Sequence, residues 1–155
     1  MIKKYFTILL FKILLIISTP LLAQQVIDGD TLQIDDKRIR IFGIDTPEKN
    51  QTCTTNNKKW ACGVVATNNL IKLISNKKVN CTKKGTDFYK RILAVCFVDG
   101  IDIGKSMVAS GWALAYRQYS NVYIKDEELA KSKKLGLWSS HFVVPWQWRK
   151  NKKNK

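Results

Sequence analysis

The chain has 155 residues, 45% of them hydrophobic, which suits one domain with a proper core plus short appendages. Lys and Arg number 27 against 12 Asp and Glu, and the formal net charge of +15 favours a polyanionic partner, whether nucleic acid, anionic membrane or acidic glycan. The single histidine, His141, stands in an apolar-aromatic stretch. That excludes nucleases with a histidine base, paired-histidine phospholipase-D-type enzymes, multi-histidine zinc hydrolases and Ser-His-Asp hydrolases.

Residues 1–23 have a basic start (Lys3, Lys4), a short apolar run from Tyr5 to Ile17 interrupted by Lys12, and a small-residue ending at Ala23. This is the three-part pattern of an export signal, and the apolar run is shorter than the ~20 residues of a membrane-spanning helix. The product is therefore expected to be periplasmic, at the cell envelope or secreted, with no stable membrane anchor. Cleavage after Ala23 leaves only Gln24 and Gln25 ahead of Val26, so either the first strand is short or the cut lies upstream.

The next segments carry the chemistry. Asp28-Gly29-Asp30 reads as a strand broken by glycine, and Asp35-Asp36-Lys37 as a turn between two runs of alternating apolar and polar residues. The hairpin returns Arg40 and Asp45 toward Asp30, with Glu48 just beyond. Carboxylates converging beside a guanidinium suggest a hard-cation site next to a phosphate site.

Residues 49–59 read as a polar loop without apolar period. Ala66, Leu70, Leu73 and Ile74 then fall at helical spacing from Gly63 to Ser75, ending in Asn76. Lys77 to Lys84 and Arg91 to Val98 read as a hairpin whose second strand is apolar on both faces and so central. Asp102 is placed to cap a helix through Ser110, with Gly111 to end it, and Asp126 to Leu135 reads as the last long helix. The Pro145-to-Trp148 stretch is positioned to pack back on a domain spanning 24–148. The basic run 149–155 is expected to be a disordered tail, solubilising or lengthening encounters with nucleic acid. Periodicity supports a small α+β domain with an antiparallel sheet.

Cys53, Cys62, Cys81 and Cys96 are even in number, so in an exported chain disulfides are the default. Cys81 and Cys96 sit at matching distances from the Gly85-Thr86-Asp87 turn on facing strands, which favours Cys81–Cys96 and leaves Cys53 with Cys62. The alternative, zinc, lacks close Cys-x-x-Cys pairs and a nearby histidine.

Two segments near the amino terminus, Val26-Ile27-Asp28-Gly29-Asp30-Thr31 and Arg40-Ile41-Phe42-Gly43-Ile44-Asp45-Thr46-Pro47-Glu48, are followed in order by Thr86-Asp87-Phe88-Tyr89-Lys90-Arg91, Gly104-Lys105-Ser106-Met107-Val108, Gly111-Trp112-Ala113 and Gly136-Leu137-Trp138-Ser139. With these motifs the chain resembles the staphylococcal-nuclease-like thermonucleases from Val26 to Trp148. The resemblance implies a five-stranded OB-type β-barrel carrying three helices, a monomer, one Ca²⁺ per chain, and DNA and RNA as substrates. It also implies products with 3′-phosphate ends and a preference for single-stranded regions.

The residues support the same chemistry. Phosphodiester cleavage without histidine needs a metal to shield phosphate charge, a carboxylate to take a proton from water, and donors for the equatorial oxygens. Asp30 and Asp45 with the Thr46 carbonyl offer only hard oxygen ligands, Glu48 has the reach of a general base, and Arg40 and Arg91 present planar forks to phosphate. The resemblance assigns the same roles to these six. Asp28 serves as an outlying cation partner or as a cap for the glycine turn. Tyr89, Tyr116 and Tyr119, with Asp87, form the candidate nucleotide pocket, Asp87 having the alternative role of turn residue. Trp112, Trp138, Trp146 and Trp148 are expected in the core. Lys90 stands where the family usually has Gly, implying either backbone strain before Arg91 or an extra phosphate contact. Two rival readings are a noncatalytic nucleic-acid-binding OB module and a surface protein holding anionic lipid or glycan.

Overall fold

The computed structural model describes residues 24–154, so the expected export signal lies outside the described residues. Strand β1 (Gln24–Asp28) pairs antiparallel with β2 (Thr31–Ile34), and β2 with β3 (Lys37–Ile41). The turn between β2 and β3 is the expected one, with Asp35 at φ 50°. After the two-residue strand β4 (Ile44–Asp45), the stretch expected to be a structureless loop forms a small hairpin, β5 (Cys53–Thr55) with β6 (Lys58–Trp60). Its signal was Asn56-Asn57: both take positive φ, the conformation a tight hairpin turn needs and asparagine tolerates.

Helix α1 (Cys62–Ile74) buries Ala66, Leu70 and Ile74, the expected stripe. Strands β7 (Val79–Thr86) and β8 (Ile92–Val98) pair antiparallel, and β9 (Ile101–Asp102) also pairs with β8. Helix α2 (Ile103–Ala109) begins at Asp102, whose carboxylate accepts from the Lys105 N–H. It ends before Gly111, at φ +78°, where a Cβ would stand 2.2 Å from the Leu135 carbonyl oxygen, so only glycine fits. Strand β10 (Leu114–Ala115) pairs with β4, followed by α3 (Ile124–Ser132), a 3₁₀ turn at Gly136–Ser139, and α4 (Pro145–Lys153).

The main sheet runs β1-β2-β3-β8-β7 and departs from expectation twice. Strand β8 is central as read, but it pairs with β3 in parallel, an arrangement that the long crossover through α1 and β7 permits. The sheet is also not closed: among the described residues no ladder joins β1 to β7, and the Gln24 side chain spans the gap, its Nε2 donating to the Lys77 carbonyl at 2.5 Å and its Oε1 accepting from the Val79 N–H at 3.3 Å. Among the described residues the fold is α+β with a six-stranded sheet that is not closed and four α-helices, where the resemblance implies a five-stranded barrel with three helices.

The fourth helix corrects the reading of 149–155 as a disordered tail. Pro145 starts α4 at its first turn, where a missing N–H costs nothing, and the helix continues to Lys153. Among the described residues no helix is long and apolar enough to cross a membrane.

The main core gathers Leu32, Ile41, Leu70, Val98, Ile103 and Met107 between sheet and helices. A second cluster joins Cys53, Cys62, Leu114 and Leu137 to Trp60, Trp112 and Trp138. The disulfides are Cys53–Cys62 and Cys81–Cys96, the latter joining directly opposed residues of β7 and β8.

Candidate active site

On β3, Ile39 and Ile41 face the core, which sends Arg38 and Arg40 to the other side of the sheet, where both line a groove of about 950 Å³. Arg40 is nevertheless buried, because the broken end of β1 and the short strand β4 close around it. Its Nη1 donates to Asp30 Oδ1, and its Nη2 donates to Asp45 Oδ1 at 2.7 Å and to the Ile44 carbonyl at 3.3 Å. The hairpin thus brings Asp30, Arg40 and Asp45 together as the sequence implied.

Each carboxylate is tuned differently. Asp30 also accepts from the Thr31 hydroxyl at 2.9 Å and the Thr46 N–H at 3.2 Å. Burial pushes it up, yet Arg40 and these donors outweigh burial and hold it below the ordinary carboxylate range. Asp45 is fully buried on β4, which β10 backs. Burial pushes Asp45 up against the opposing pull of Arg149 and Arg40. A bulge between Val26 and Asp28 re-aims the end of β1, and Asp28 Oδ1 accepts from the Asp30 N–H at 3.1 Å, the turn-capping role. Burial first, and then the Asp30 charge, push Asp28 to about 6.

Glu48 is held at the groove by its backbone. Its carbonyl accepts from the Gln51 N–H at 2.7 Å, its N–H donates to Gln51 Oε1 at 3.3 Å, and the first turn of α1 packs on it at Gly63. Gln51, fully buried, also donates through Nε2 to the Val143 carbonyl at 2.6 Å, which ties this loop to the approach to α4. The Cys53–Cys62 bridge clips the same loop to the start of α1.

Arg91 enters from the tight turn before β8. Asp87 accepts from the Arg91 N–H at 2.9 Å and from its Nε at 2.7 Å, so Asp87 is both turn residue and orienter of the guanidinium. Asp87 does not line the groove itself. Lys90 lies at φ 61°, the left-handed region that favours glycine, so the strain alternative holds at this position.

Tyr89 is exposed, with Arg91 over its ring at 5.6 Å. Tyr116 and Tyr119 meet edge to face at 5.0 Å, and Trp146 of α4 lies 5.9 Å from Tyr116. All three tyrosines line the groove. Burial first, and then the charge of Asp45, raise the Tyr116 phenol. Trp112 and Trp138 pack on the core as expected, whereas Trp146 and Trp148 line the groove instead.

Helix α4 supplies what the sequence reading missed. Arg149 donates through Nη1 to Asp45 Oδ1 at 3.0 Å and to Glu48 Oε1 at 2.9 Å, and through Nη2 to Asp45 Oδ2 at 2.8 Å. The available signal was Pro145 ahead of an aromatic-rich stretch, a helix start.

The sequence model of the staphylococcal nuclease homologue family matches residues 38–140, a stretch that contains Arg40, Asp45, Thr46, Glu48, Asp87, Arg91 and Tyr116. The chain belongs to the staphylococcal nuclease family. Among similar proteins, an uncharacterized endonuclease of Haemophilus influenzae is 37% identical over 134 residues, covering 81% of this chain and 70% of its own. An uncharacterized endonuclease of Escherichia coli is 33% identical over 97% of this chain and 99% of its own. The staphylococcal-like nuclease CAN1 of Arabidopsis thaliana is 33% identical over 75% of this chain but only 34% of its own length. Asp30 and Arg149 lie outside the stretch that the family model matches.

Proposed function

We propose that this protein is an exported, calcium-dependent nuclease that hydrolyses phosphodiester bonds of both DNA and RNA. The observation that carries the reading is the convergence on one groove of Arg40, Arg91 and Glu48, beside the buried carboxylates Asp30 and Asp45, in a chain of this family. Among the described residues no three His, Cys, Asp or Glu side chains form a metal cluster, and all four cysteines are in disulfides. What Asp30, Asp45 and the Thr46 carbonyl offer is an oxygen-only set that water would complete, which fits calcium and not zinc.

When bound, calcium would offset phosphate charge and acidify a water. The chain's own groups carry the rest. Glu48, fixed by Gln51 and Gly63, takes the proton from the attacking water. Arg40 and Arg91 donate to the equatorial phosphate oxygens as negative charge grows, and Asp87 holds Arg91 by Nε so that the terminal nitrogens face the substrate. Tyr89, Tyr116 and Tyr119 offer faces on which an unstacked base can rest, which favours single strands. The two disulfides fit an oxidising compartment, periplasmic or extracellular.

The test is digestion of denatured DNA and of RNA by the purified mature protein in millimolar Ca²⁺, with loss of activity on chelation. Glu48→Gln should lower turnover by roughly 10² or more while retaining binding, and Arg40→Lys and Arg91→Lys should both lose activity because one ammonium cannot replace a fork. Tight binding of single-stranded DNA without cleavage under any divalent cation would establish the binding-module reading instead.

A further inference from the structure

Arg149 is engaged on the two acceptors that matter most to the site. Both oxygens of Asp45 and one oxygen of Glu48 accept from its guanidinium, in an almost forked geometry. Arg40 also binds Asp45, yet the two arginines are not equivalent. The Arg40 side chain is 7% exposed and is held by Asp30 and the Ile44 carbonyl as well, whereas that of Arg149 is 33% exposed and reaches in from the last helix.

We propose that Arg149 is an internal counter-cation for the candidate metal site: it holds both Asp45 oxygens, on which a divalent ion would draw, and with them the proposed base Glu48, so the ion and Arg149 compete for Asp45, and ion binding turns the guanidinium into the groove as a third arginine for phosphate. This rests on the calcium reading above and deepens it.

Three observations support the exchange. Asp30, Asp45 and Glu48 against Arg40 and Arg149 leave the cluster one negative charge, and a divalent ion in place of Arg149 balances it. Moving Arg149 need not undock α4, because Gln51 holds the Val143 carbonyl, Pro145 is buried and Trp146 packs on Tyr116. Finally, Arg149 lines the same groove as Arg40, Arg91 and Tyr116, so a released side chain already faces the substrate path. With Arg149 on the carboxylates, the buried charge of Asp45 is compensated before any ion arrives, which an isolated buried carboxylate could not achieve.

The experiment is calcium titration calorimetry on the mature full-length protein, on Arg149→Gln, and on Lys150→Ala, which removes the same unit charge from the same helix without touching Asp45. Arg149→Gln should tighten calcium binding by about 10-fold or more and Lys150→Ala by no more than ~3-fold. The calcium needed for half-maximal cleavage should fall in Arg149→Gln while kcat/KM at saturating calcium also falls, a split that a purely structural role would not produce. Wild-type protein gives a check independent of how the variant folds: the Arg149 Nε–Hε resonance should move saturably as calcium is added. Equal calcium affinity in wild type and Arg149→Gln, or an unmoved Arg149 resonance while calcium binds, overturns the proposal. No calcium binding by any of the three proteins overturns the calcium reading itself, and this inference with it.

Discussion

Gly63 lies directly against the backbone of Glu48: a Cβ on Gly63 would stand 1.8 Å from the Glu48 carbonyl oxygen and 3.0 Å from the Lys49 carbonyl carbon. The start of α1 is thereby the floor on which the loop bearing the proposed base rests, and the Gly63 N–H donates to the Gln51 carbonyl at 3.2 Å in the same contact.

Gly63→Ala should therefore displace that loop, because the obstacle is backbone and cannot rotate away. Overpacking of this kind costs about 1–3 kcal/mol. The expected outcome is a lower urea midpoint together with a drop in turnover on single-stranded DNA of at least about 10-fold, since a misplaced base loses more than stability. Unchanged turnover in a folded Gly63→Ala protein would show that the loop position does not govern the chemistry.

The two disulfides should separate stability from activity. Cys81–Cys96 closes a 15-residue separation across β7 and β8, away from Glu48, and by chain entropy contributes roughly 3 kcal/mol. Replacing both cysteines with Ser should lower Tm but leave activity nearly intact at low temperature. Replacing Cys53 and Cys62 should instead lower activity at low temperature, because that bridge clips the Glu48 loop to α1. Assays at 15 °C beside thermal melts distinguish the two patterns.

Lys90→Gly should stabilise the fold. Lys90 holds φ 61° while its N–H donates to the Asp87 carbonyl at 3.0 Å, a bond that glycine keeps. Relief of the left-handed strain is worth about 1 kcal/mol, offset in part by the entropy glycine adds to the unfolded chain. Urea denaturation should show a raised midpoint at unchanged slope, and a lowered midpoint would mean that the Lys90 side chain contributes more than its backbone costs.

Helix α4 makes the salt response of substrate binding a specific quantity. Lys150, Lys152 and Lys153 line the groove. If each neutralises one phosphate, replacing all three with Ala should flatten the slope of log K against log salt for single-stranded DNA by about 2, at roughly 0.7 per contact. A slope identical to wild type would assign these lysines to solubility alone.

The sequence by itself determined the local pieces whose physics is local. Asp102 and Gly111 bracket α2 because a carboxylate cap and a left-handed residue act on their own helix ends. The cysteine pairing followed from strand register, and the approach of Arg40 and Asp45 to Asp30 from one hairpin and its alternation. Family resemblance extended this to the α+β class and to the family itself, and the family membership stands.

Tertiary structure alone decided the rest. The parallel pairing of β3 with β8 joins strands separated by a helix and another strand, and the open edge between β1 and β7 depends on how far the sheet curls; neither leaves a periodic trace. Most of all, a basic run at the carboxyl end reads as a solvated tail until partners for it exist. Arg149 finds Asp45 and Glu48 across more than a hundred residues of chain, while the buried Pro145, the Gln51 bond to the Val143 carbonyl and the packing of Trp146 on Tyr116 hold a helix that its own like charges oppose.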